Sequence, residues 1–342
     1  MLVYASVEEA FAQSRDQQMK ARVDSTLSAR YYRHGDIDTT YITRPTTKWT
    51  FVGRMNMSGA KIEAEGLENG RRFCSEMTAD RKATVSVAVS YLGYSLSAAL
   101  NPAKLLGKYR DYELNFNSYG KRFGFDIIYQ DAHNFTGWHE GVISGDNYSA
   151  PSASPQTGRI ELPPDMLSVR TLNLNAFYVV NSRHFSYPAA FSQSYIQHRS
   201  AGRLLLAASA MGQHATLKWE QEMQLKMTNI ALGAGYSYNY VPYPTHPAHG
   251  ATARGHWLLH ISALPTFICY SNTSMTFGDN RVPLHYHFPE VIITGRGAVV
   301  RQWGNKFLGM SMVFNFTNIG HEQSLALHNI KWRLRTFFGL RL

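Results

Sequence analysis

The sequence predicts an all-β fold: a transmembrane antiparallel up-and-down β-barrel of about 12 strands, with about 14 as the alternative. Lys331 to Leu342 alternates between an apolar face and a basic face, as a strand between two different solvents requires. Charged residues make up only 17% of the chain, against roughly 25% in an average globular protein. Strand-like segments near the ~10 residues that cross a membrane at a barrel's tilt follow one another from residue 83 onward.

Composition argues against several other classes of protein. The net charge of +10 raises nucleic acid as a partner, but the basic residues are scattered and form no helical stripe or known binding motif. We therefore expect no nucleic-acid partner. No apolar run reaches about 18 residues, which excludes a helical membrane span. Cys74 and Cys269 either pair in an oxidising compartment or stay free, and we expect free thiols.

The N-terminal part differs from the rest of the chain. Residues 1–5 are similar to the end of a signal peptide, with Ala5 before a cleavage position, and we interpret them as a truncated or cleaved remnant. This predicts export to the bacterial outer membrane. Residues 6–48 predict a short helix over Val7 to Arg30 and then an irregular periplasmic adaptor or plug, and residues 49–342 predict the barrel.

The first half of the predicted barrel contains the clearest alternation. Residues 49–65 indicate an extra strand pair, and residues 66–82 a charged loop. Residues 83–91 and 94–100 change parity around Gly93, as a tight hairpin requires. The segments 112–117 and 123–130 alternate apolar and polar side chains on both sides of a turn at Gly120. A soluble barrel with an inverted pattern would alternate in the same way, so these strands alone do not choose between lipid and water.

The second half begins with an irregular segment. Residues 134–170 contain Pro and Ser clusters and predict one large loop. Counting back from a periplasmic C-terminus puts this loop on the periplasmic side, where bacterial barrels have short turns. Either one strand between Thr171 and Met211 is miscounted, or the barrel departs from that habit. Further strands are predicted at 171–180, 185–197, 204–211, 227–240, 256–270, 291–302, 307–317 and 331–342.

Several segments resemble domain-of-unknown-function family 4421. The residues that carry the resemblance are Asn181, Phe185-Ser186, Ala189-Ala190-Phe191, Gln197, Ser200-Ala201-Gly202 and Gly233 to Asn239. The stretch from Tyr31 to Trp49, with Asp36, Asp38, Tyr41 and Ile42, is similar to the family's opening. The resemblance covers residue 31 to the C-terminus. It implies an exported outer-membrane barrel of Bacteroidota, and it carries no activity over to any residue.

Strand parity predicts which side chains face the lumen and which face lipid. The predicted lumen residues are Glu113, Arg122, Asp126, Arg296, Arg333 and Arg335. If the acids and bases interlock, they form a plug of salt bridges; if the arginines line one wall, they form an anion-selective constriction. The predicted aromatic girdle residues at the membrane interface are Tyr236, Tyr238, Tyr240 and Trp332.

The sequence contains only weak candidates for catalytic or metal-binding residues. His256 with His260, and His285 with His287, each put two imidazoles on one strand face without a third ligand at matching spacing, so we expect no metal or cofactor. His198 and Ser200 are the nearest candidates for a lipid hydrolase. No third group orients them, and a turn motif is the favoured interpretation.

Three functions fit these patterns. The favoured one is a narrow channel for small anionic solutes. The alternative is a non-conducting barrel that anchors or assembles cell-surface components, with a surface or periplasmic protein partner. The third is an integral outer-membrane lipid hydrolase, although the sequence does not predict an enzyme. All three have outer-membrane lipid as a partner.

Overall fold

A computed structural model describes residues 19–29, 37–68, 71–91, 94–100, 112–143, 156–218, 222–244, 255–277, 280–284, 290–321 and 325–342. Residues 1–5, and His285 with His287, lie outside this set. Helix α1 covers residues 19–29, and helix α2 covers Pro188–Phe191. No helix in the described ranges is long and apolar enough to cross a membrane.

The chain is dominated by strands. They are β1 (Ile42–Thr43), β2 (Trp49–Glu68), β3 (Arg71–Tyr91), β4 (Tyr94–Leu100), β5 (Tyr112–Tyr119), β6 (Phe123–Ala132), β7 (Phe135–Ile143), β8 (Gln156–Leu162), β9 (Leu167–Val179), β10 (Ile196–Gln197), β11 (Ala201–Lys218), β12 (Glu222–Tyr240), β13 (His256–Phe277), β14 (Asn280–Leu284), β15 (Val291–Trp303), β16 (Lys306–His321) and β17 (Leu325–Arg341).

Fifteen of these strands form one antiparallel sheet that curls into a barrel. Its order is β5-β6-β9-β11-β12-β13-β15-β16-β17-β2-β3-β7-β8, with β4 beside β3 and β14 beside β13. Only His133 and Asn134 separate β6, near one end of this order, from β7, near the other. These residues bridge about 11 Å at most. A flat sheet would hold β6 and β7 about 48 Å apart, at about 4.8 Å per strand, so the sheet must curl.

The final strand closes the barrel against β2. The two strands pair along their lengths, with Trp332 opposite Gly59 and Phe338 opposite Gly53. At the end of the chain, Leu342 and Trp49 exchange two backbone hydrogen bonds of 2.9 and 3.0 Å. The predicted seam strand is therefore β17, the last long strand, and it pairs with β2, the first long strand. We call the end of the barrel that holds this junction the near mouth, and the opposite end the far mouth.

The apolar side chains point out of the barrel. Along β16, Leu308, Met310 and Met312 are 50%, 46% and 45% exposed, whereas the intervening Phe307 and Ser311 are 0% and 6% exposed. The same outward apolar face recurs on other strands, as at Phe51, Met55, Leu114, Phe116, Phe123, Leu172, Leu174, Leu204, Leu206, Ile230, Leu232, Trp257, Ile261, Phe267, Ile293 and Phe338. The outer face is therefore apolar, whereas the inner face mixes polar side chains with apolar ones such as Phe307. A soluble barrel would instead have a polar outer face.

Residues 185–197 do not form the predicted membrane-crossing strand. Residues 180–200 instead fold into the near mouth, and we call them the plug. The plug contains α2, which begins at Pro188 where proline suits the first turn, and only the two-residue β10 is extended. Its aromatic residues Phe185, Tyr187 and Phe191 pack against wall residues in the main buried cluster.

This difference explains where the 134–170 segment lies. That segment is not one loop, since it contains β7 and β8. Strands β6 and β7 run towards the far mouth as one passage, and β8 and β9 return as another. The segment is therefore at the far mouth. Counting residues 185–197 as a crossing strand moved it to the wrong end.

The predicted charged loop at residues 66–82 is also wrong. These residues form the end of β2 and the first half of β3, which pair as a hairpin. Glu76, one of their charged side chains, fits a strand because it pairs with Lys61 of β2 on the outer face. Lys61 Nζ lies 2.6 Å from Glu63 and 3.2 Å from Glu76. The long strands thus continue beyond the apolar part of the wall.

A pair of glycines tests the inner packing. A side chain at Gly339 would overlap the ring of Phe307, whereas a side chain at Gly53, on the outer face of the adjacent strand, would meet no atom within 4 Å. We expect Gly339→Val to lower the unfolding free energy by about 1–3 kcal/mol and Gly53→Val to change it by under about 0.5 kcal/mol. Denaturant unfolding of the refolded protein measures both values. Equal effects would contradict this inner and outer assignment.

Candidate functional site

The plug is fastened to the wall by uncharged polar side chains. Gln197, which is fully buried, accepts hydrogen bonds from the Ser186 amide (2.9 Å) and from Asn239 Nδ2 on β12 (3.1 Å). Its own amide donates to the carbonyls of His184 (2.7 Å) and Arg199 (2.9 Å). Both ends of the carboxamide are thus satisfied, as burial requires. Gln197 therefore ties the two ends of the plug to each other and to the wall.

The final strand supplies a second attachment. Arg341 is 3% exposed and donates to the Gln193 carbonyl (3.1 Å) and to Gln302 Oε1 (3.2 Å). Gln302 Nε2 in turn donates to Gln193 Oε1 (3.2 Å). The Arg341 guanidinium also lies over the Phe307 ring, 4.9 Å from its centroid. The strand that closes the barrel thus also holds the plug in place.

An ion pair on the inner wall forms the third attachment. Arg296 on β15 donates to Asp126 Oδ2 on β6 (3.0 Å) and to the Tyr187 hydroxyl of the plug (2.9 Å). Tyr119 donates to the other oxygen of Asp126 at 2.6 Å. The Arg296 and Asp126 side chains are only 10% and 8% exposed. Two of the predicted lumen residues therefore interlock directly, and Arg296 also holds the plug through Tyr187.

The N-terminal segment covers the plug at the near mouth. Strand β1 pairs with β10, placing Ile42 opposite Gln197, and Arg44 donates to the Tyr195 hydroxyl at 2.6 Å. Asp38 accepts hydrogen bonds from Thr40 and lies 3.1 Å from His184 Nε2. The Thr40 hydrogen bonds and the nearby imidazole lower the pKa of Asp38. The described part of the predicted adaptor segment is thus the outer layer of the plug.

Beyond the plug, the lumen contains a chamber with a mixed polar and apolar lining. A cavity of about 80 Å³ is bounded by Phe191 of the plug and by wall residues that include Phe177, Leu264 and Ile292. The polar side chains on its wall include those of Asn175, Ser209, Thr294, Asn315, Arg333 and Arg335, as well as the Asp126 and Arg296 pair. A second cavity of about 100 Å³ shares Asn315 and Arg333 with the first and continues past Lys331. We call the two together the chamber. Arg335 Nε donates to Asn56 Oδ1 at 2.8 Å on its wall.

The other predicted lumen residues have different positions. Arg122 is not in the lumen, because the turn after Gly120 extends through it and leaves its side chain exposed before β6 begins. Glu113 belongs to β5, but its side chain lies outside the described set. Arg333 and Arg335 both line the chamber.

The predicted girdle residues all belong to outward-facing positions. Tyr236, Tyr238 and Tyr240 are 56%, 37% and 48% exposed on β12, and Tyr240 lies at the near mouth. Trp332 is half-buried and packs over Gly59, where a side chain would come within 2.9 Å of the indole. It occupies the middle of β17 rather than an end.

The histidine and serine candidates have structural contacts. His260 is buried and its Nδ1 lies 2.7 Å from Asn239 Oδ1 beside the plug, and His256 is also buried. The described ranges contain no group of three or more possible metal ligands. Ser200 Oγ accepts from the Val241 amide at 2.9 Å, and His198 Nε2 contacts Thr43 Oγ1 at 2.7 Å. Ser200 and His198 thus join neighbouring segments.

The sequence analysis missed the plug fasteners Gln193, Gln302, Asn239 and Arg341. Gln197 was noted only as part of a resemblance. A signal existed in residues 185–197, which have no sustained alternation and contain Pro188, a residue that a central strand excludes.

The chain is similar to one protein family and to several solved structures. A family model described as Domain of unknown function (DUF4421) matches residues 36–341. No curated protein matches. Among solved structures, the outer membrane protease OmpT of Escherichia coli is 10% identical, with a TM-score of 0.43 over 87% of this chain and 97% of that one.

Two autotransporter domains are also similar. The translocator domain of NalP from Neisseria meningitidis is 7% identical, with a TM-score of 0.26 over 97% of this chain and 98% of that one. The β-domain of the Bordetella autotransporter BrkA is 10% identical, with a TM-score of 0.30 over 84% of this chain and 99% of that one. At these values none of the three structures indicates what this chain does.

The buried ion pair gives a direct test of the site. We expect Asp126→Asn to lower the unfolding free energy by about 3–5 kcal/mol, because it leaves the Arg296 charge buried without its partner. Adding Arg296→Gln should recover much of that loss. The control is Asp131→Asn, which removes a partner of Arg170 at 3.2 Å, where Arg170 is 58% exposed. That change should cost about 0–1 kcal/mol. Similar losses in the two single variants would contradict the buried pair.

Proposed function

This chain belongs to the family described as Domain of unknown function (DUF4421), and we propose that it is an outer-membrane β-barrel held closed by its own plug. In this proposal it does not conduct, and it anchors or assembles components of the cell surface. The plug at the near mouth is the observation that carries the proposal. The anchoring role follows from a closed lumen combined with an N-terminal layer on one side and the 144–155 connection on the other.

The size of the apolar outer face supports a membrane location. On β12, outward apolar and aromatic side chains run from Ile230 to Tyr240. Ten residue steps of about 3.4 Å give about 34 Å along the strand, or about 26 Å along the barrel axis at a tilt of about 40°. The apolar band of outer-membrane barrels is about 25 Å tall. Water would leave this whole surface unfavourably exposed.

Aromatic side chains at one edge of this apolar band and charged side chains at the other edge support the same membrane location. Trp49, Tyr240 and Trp257 are exposed at the near mouth, as aromatic side chains at a membrane interface are. Towards the far mouth the outer face becomes charged, at Lys61 with Glu63 and at Asp131 with Arg170. The charged groups therefore begin where the apolar face ends.

In this proposal the near mouth faces the periplasm, because Trp49 and Leu342, the two ends of the barrel wall, meet there, and an even number of strands puts both ends of a bacterial barrel on the periplasmic side. The 144–155 connection, between β7 and β8, then lies at the cell surface. A cell-surface partner would meet the far mouth, and a periplasmic partner would meet the N-terminal layer.

The plug favours a closed barrel over the anion channel that the lumen arginines suggest. Conduction needs a continuous water path, and the near mouth is filled by side chains such as Phe185, Tyr187 and Gln197, each 1% exposed or less. A solute would have to displace all three plug attachments. The closed barrel is therefore better supported than the anion channel. The lipid hydrolase finds no support in the contacts of Ser200 and His198.

Planar-bilayer recording tests closure. We expect the refolded protein to give no discrete conductance steps, because the plug fills the near mouth. Replacing residues 183–199 with four Gly and Ser residues should produce steps, since β9 and β11 are adjacent and antiparallel and a short link can join them. Tyr243→Ala, a change at a 73% exposed residue of the same mouth, is the silent control. Steps from the intact protein would contradict the closed barrel and favour the channel.

Gel mobility tests the membrane location. We expect the folded protein to need detergent to stay in solution, because its outer face is apolar. Unheated samples should migrate differently from boiled ones on a denaturing gel, since a closed barrel resists the detergent until heated. A protein that remains monomeric in buffer without detergent would overturn the membrane assignment.

A further inference from the structure

The outer face of the wall contains an apolar groove between β13 and β16, with β15 as its floor. Outward positions on β15 alternate with the buried Ala298, Val300 and Gln302, so Gly295 and Gly297 both face outward. A side chain built at Gly297 would come no closer than 3.8 Å to another strand, and one at Gly295 no closer than 4.0 Å. Both glycines therefore open onto the space outside the wall.

Large side chains stand on both sides of this glycine floor. The strand register places Gly297 directly between Ile261 of β13 and Met312 of β16, which are 68% and 45% exposed. The groove has a volume of about 410 Å³, and its lining also includes Tyr238, Leu259, Val299 and Met310. A hydrocarbon chain lying along β15 would contact the floor and both sides. It would therefore gain more dispersion contacts there than on a flat apolar wall.

An arginine lies just beyond the near-mouth end of the groove. Arg301 does not line the groove; it is the next outward residue of β15 after Val299, about 7 Å further along the strand. Its guanidinium carbon lies 5.4 Å from the ring centroid of Trp257 and 5.7 Å from that of Trp303, so two cation–π contacts hold it at the aromatic edge of the apolar band. Among the described residues it has no hydrogen-bond or ion-pair partner. The 245–254 connection that leads into β13 contains no acidic residue.

The ligand that fits both features is an amphiphile with an anionic head. Arginine binds phosphate oxygens through paired hydrogen bonds, and the groove accepts a hydrocarbon chain. A free phosphate would use Arg301 but not the groove. A second copy of the barrel would cover the groove but bring no anion, because copies in one membrane share an orientation and outer-face carboxylates such as Glu63 and Glu76 lie towards the far mouth. A phospholipid uses both.

We propose that the groove over Gly297 binds one acyl chain of an anionic phospholipid whose phosphate is held by Arg301. In the orientation given above, this lipid belongs to the periplasmic leaflet. The site rests on the proposed membrane location and not on the closed plug, so conductance steps would contradict the closed barrel and leave the outer-face site unchanged. Loss of lipid binding with normal heat-dependent gel mobility would remove the site and leave the membrane barrel.

Native mass spectrometry of the full chain, refolded in an uncharged detergent, tests the headgroup contact. The protein is titrated with phosphatidylglycerol, which has a net negative charge, and with phosphatidylcholine of the same acyl chains, which has none. We expect the wild type to retain one phosphatidylglycerol in preference to phosphatidylcholine. Arg301→Gln should weaken that binding about tenfold, because a charge-assisted hydrogen bond is lost. The matched control is Arg122→Gln, which removes the same charge from an exposed turn at the same mouth and should bind as the wild type does.

Filling the groove tests the acyl-chain contact. Gly297→Leu leaves Arg301 in place and occupies the floor, so it should also reduce phosphatidylglycerol retention about tenfold. The matched control is Gly53→Leu, at an outward glycine of β2 with nothing within 4 Å, which should bind as the wild type does. Heat-dependent gel mobility confirms that each variant is folded. Glycerol phosphate, which has the anionic head without a chain, should not displace the lipid.

Several results would overturn this site. They are equal retention of the two lipids by the wild type, equal binding by Arg301→Gln and Arg122→Gln, equal binding by Gly297→Leu and Gly53→Leu, and failure of Gly297→Leu to fold. Displacement by glycerol phosphate would assign Arg301 to free phosphates instead. A dimer that Gly297→Leu dissociates would assign the groove to a second copy of the chain.

Discussion

The structure depends on satisfying every backbone hydrogen bond of a wall whose outside is apolar. A wall of this kind cannot leave a strand edge open, because unpaired amides and carbonyls facing an apolar medium cost several kcal/mol each. The pairing of β17 with β2, completed by Leu342 and Trp49, meets this demand at the seam where the first and last long strands meet. Closure then forces alternate side chains inward. The interior must consequently be filled by whatever those inward positions supply. Here they supply polar groups and glycines together with apolar side chains such as Leu258, Val300 and Phe307.

The plug fills the near-mouth end of that interior and pairs with its polar groups. An inward face built from Asn239, Ser237 and His260 cannot pack as a dry core unless each polar group finds a partner, and the plug provides such partners through Gln197 and Ser186. Its aromatic residues fill the remaining space beside Phe177 and Phe307. Neutral carboxamides do the fastening at Gln197 and between Gln193 and Gln302. The charged residues are concentrated instead at the Asp126 and Arg296 pair and in the chamber above it.

The sequence predicted the wall better than the lumen, for a physical reason. Alternation with a period of two is a local property, so the outward faces of β6, β12, β16 and β17 could be identified from their residues alone. The burial of Asp126 beside Arg296 depends on two strands that are 170 residues apart in the chain, and parity gives a side of the sheet but no distance across the lumen. Arg122 shows where an argument from parity fails. It has the parity of an inward residue, but it belongs to the turn before β6 and not to a strand.

The plug was the largest difference from the sequence-based expectation. Residues 185–197 are apolar enough to resemble a strand, and only Pro188 and the lack of sustained alternation indicated otherwise. Treating them as a crossing displaced the 134–170 segment to the wrong mouth. Charged residues on β2 and β3 were likewise assigned to a loop because a strand that extends beyond the apolar band changes from apolar to charged side chains without changing its structure.

Spin-label accessibility along β16 is the most direct measurement of the central claim, an apolar wall in lipid around a sealed lumen. Nitroxides are placed singly at positions 308 to 314 of a protein with Cys74 and Cys269 replaced by serine, in liposomes. We predict that oxygen, which concentrates in lipid, reaches labels at Leu308, Met310, Met312 and Phe314, and that labels at Gly309, Ser311 and Val313 are protected. A label at Ala190 in the plug should be shielded from both oxygen and a water-soluble nickel reagent. A flat or inverted alternation along β16, or free access of nickel to Ala190, would contradict the account.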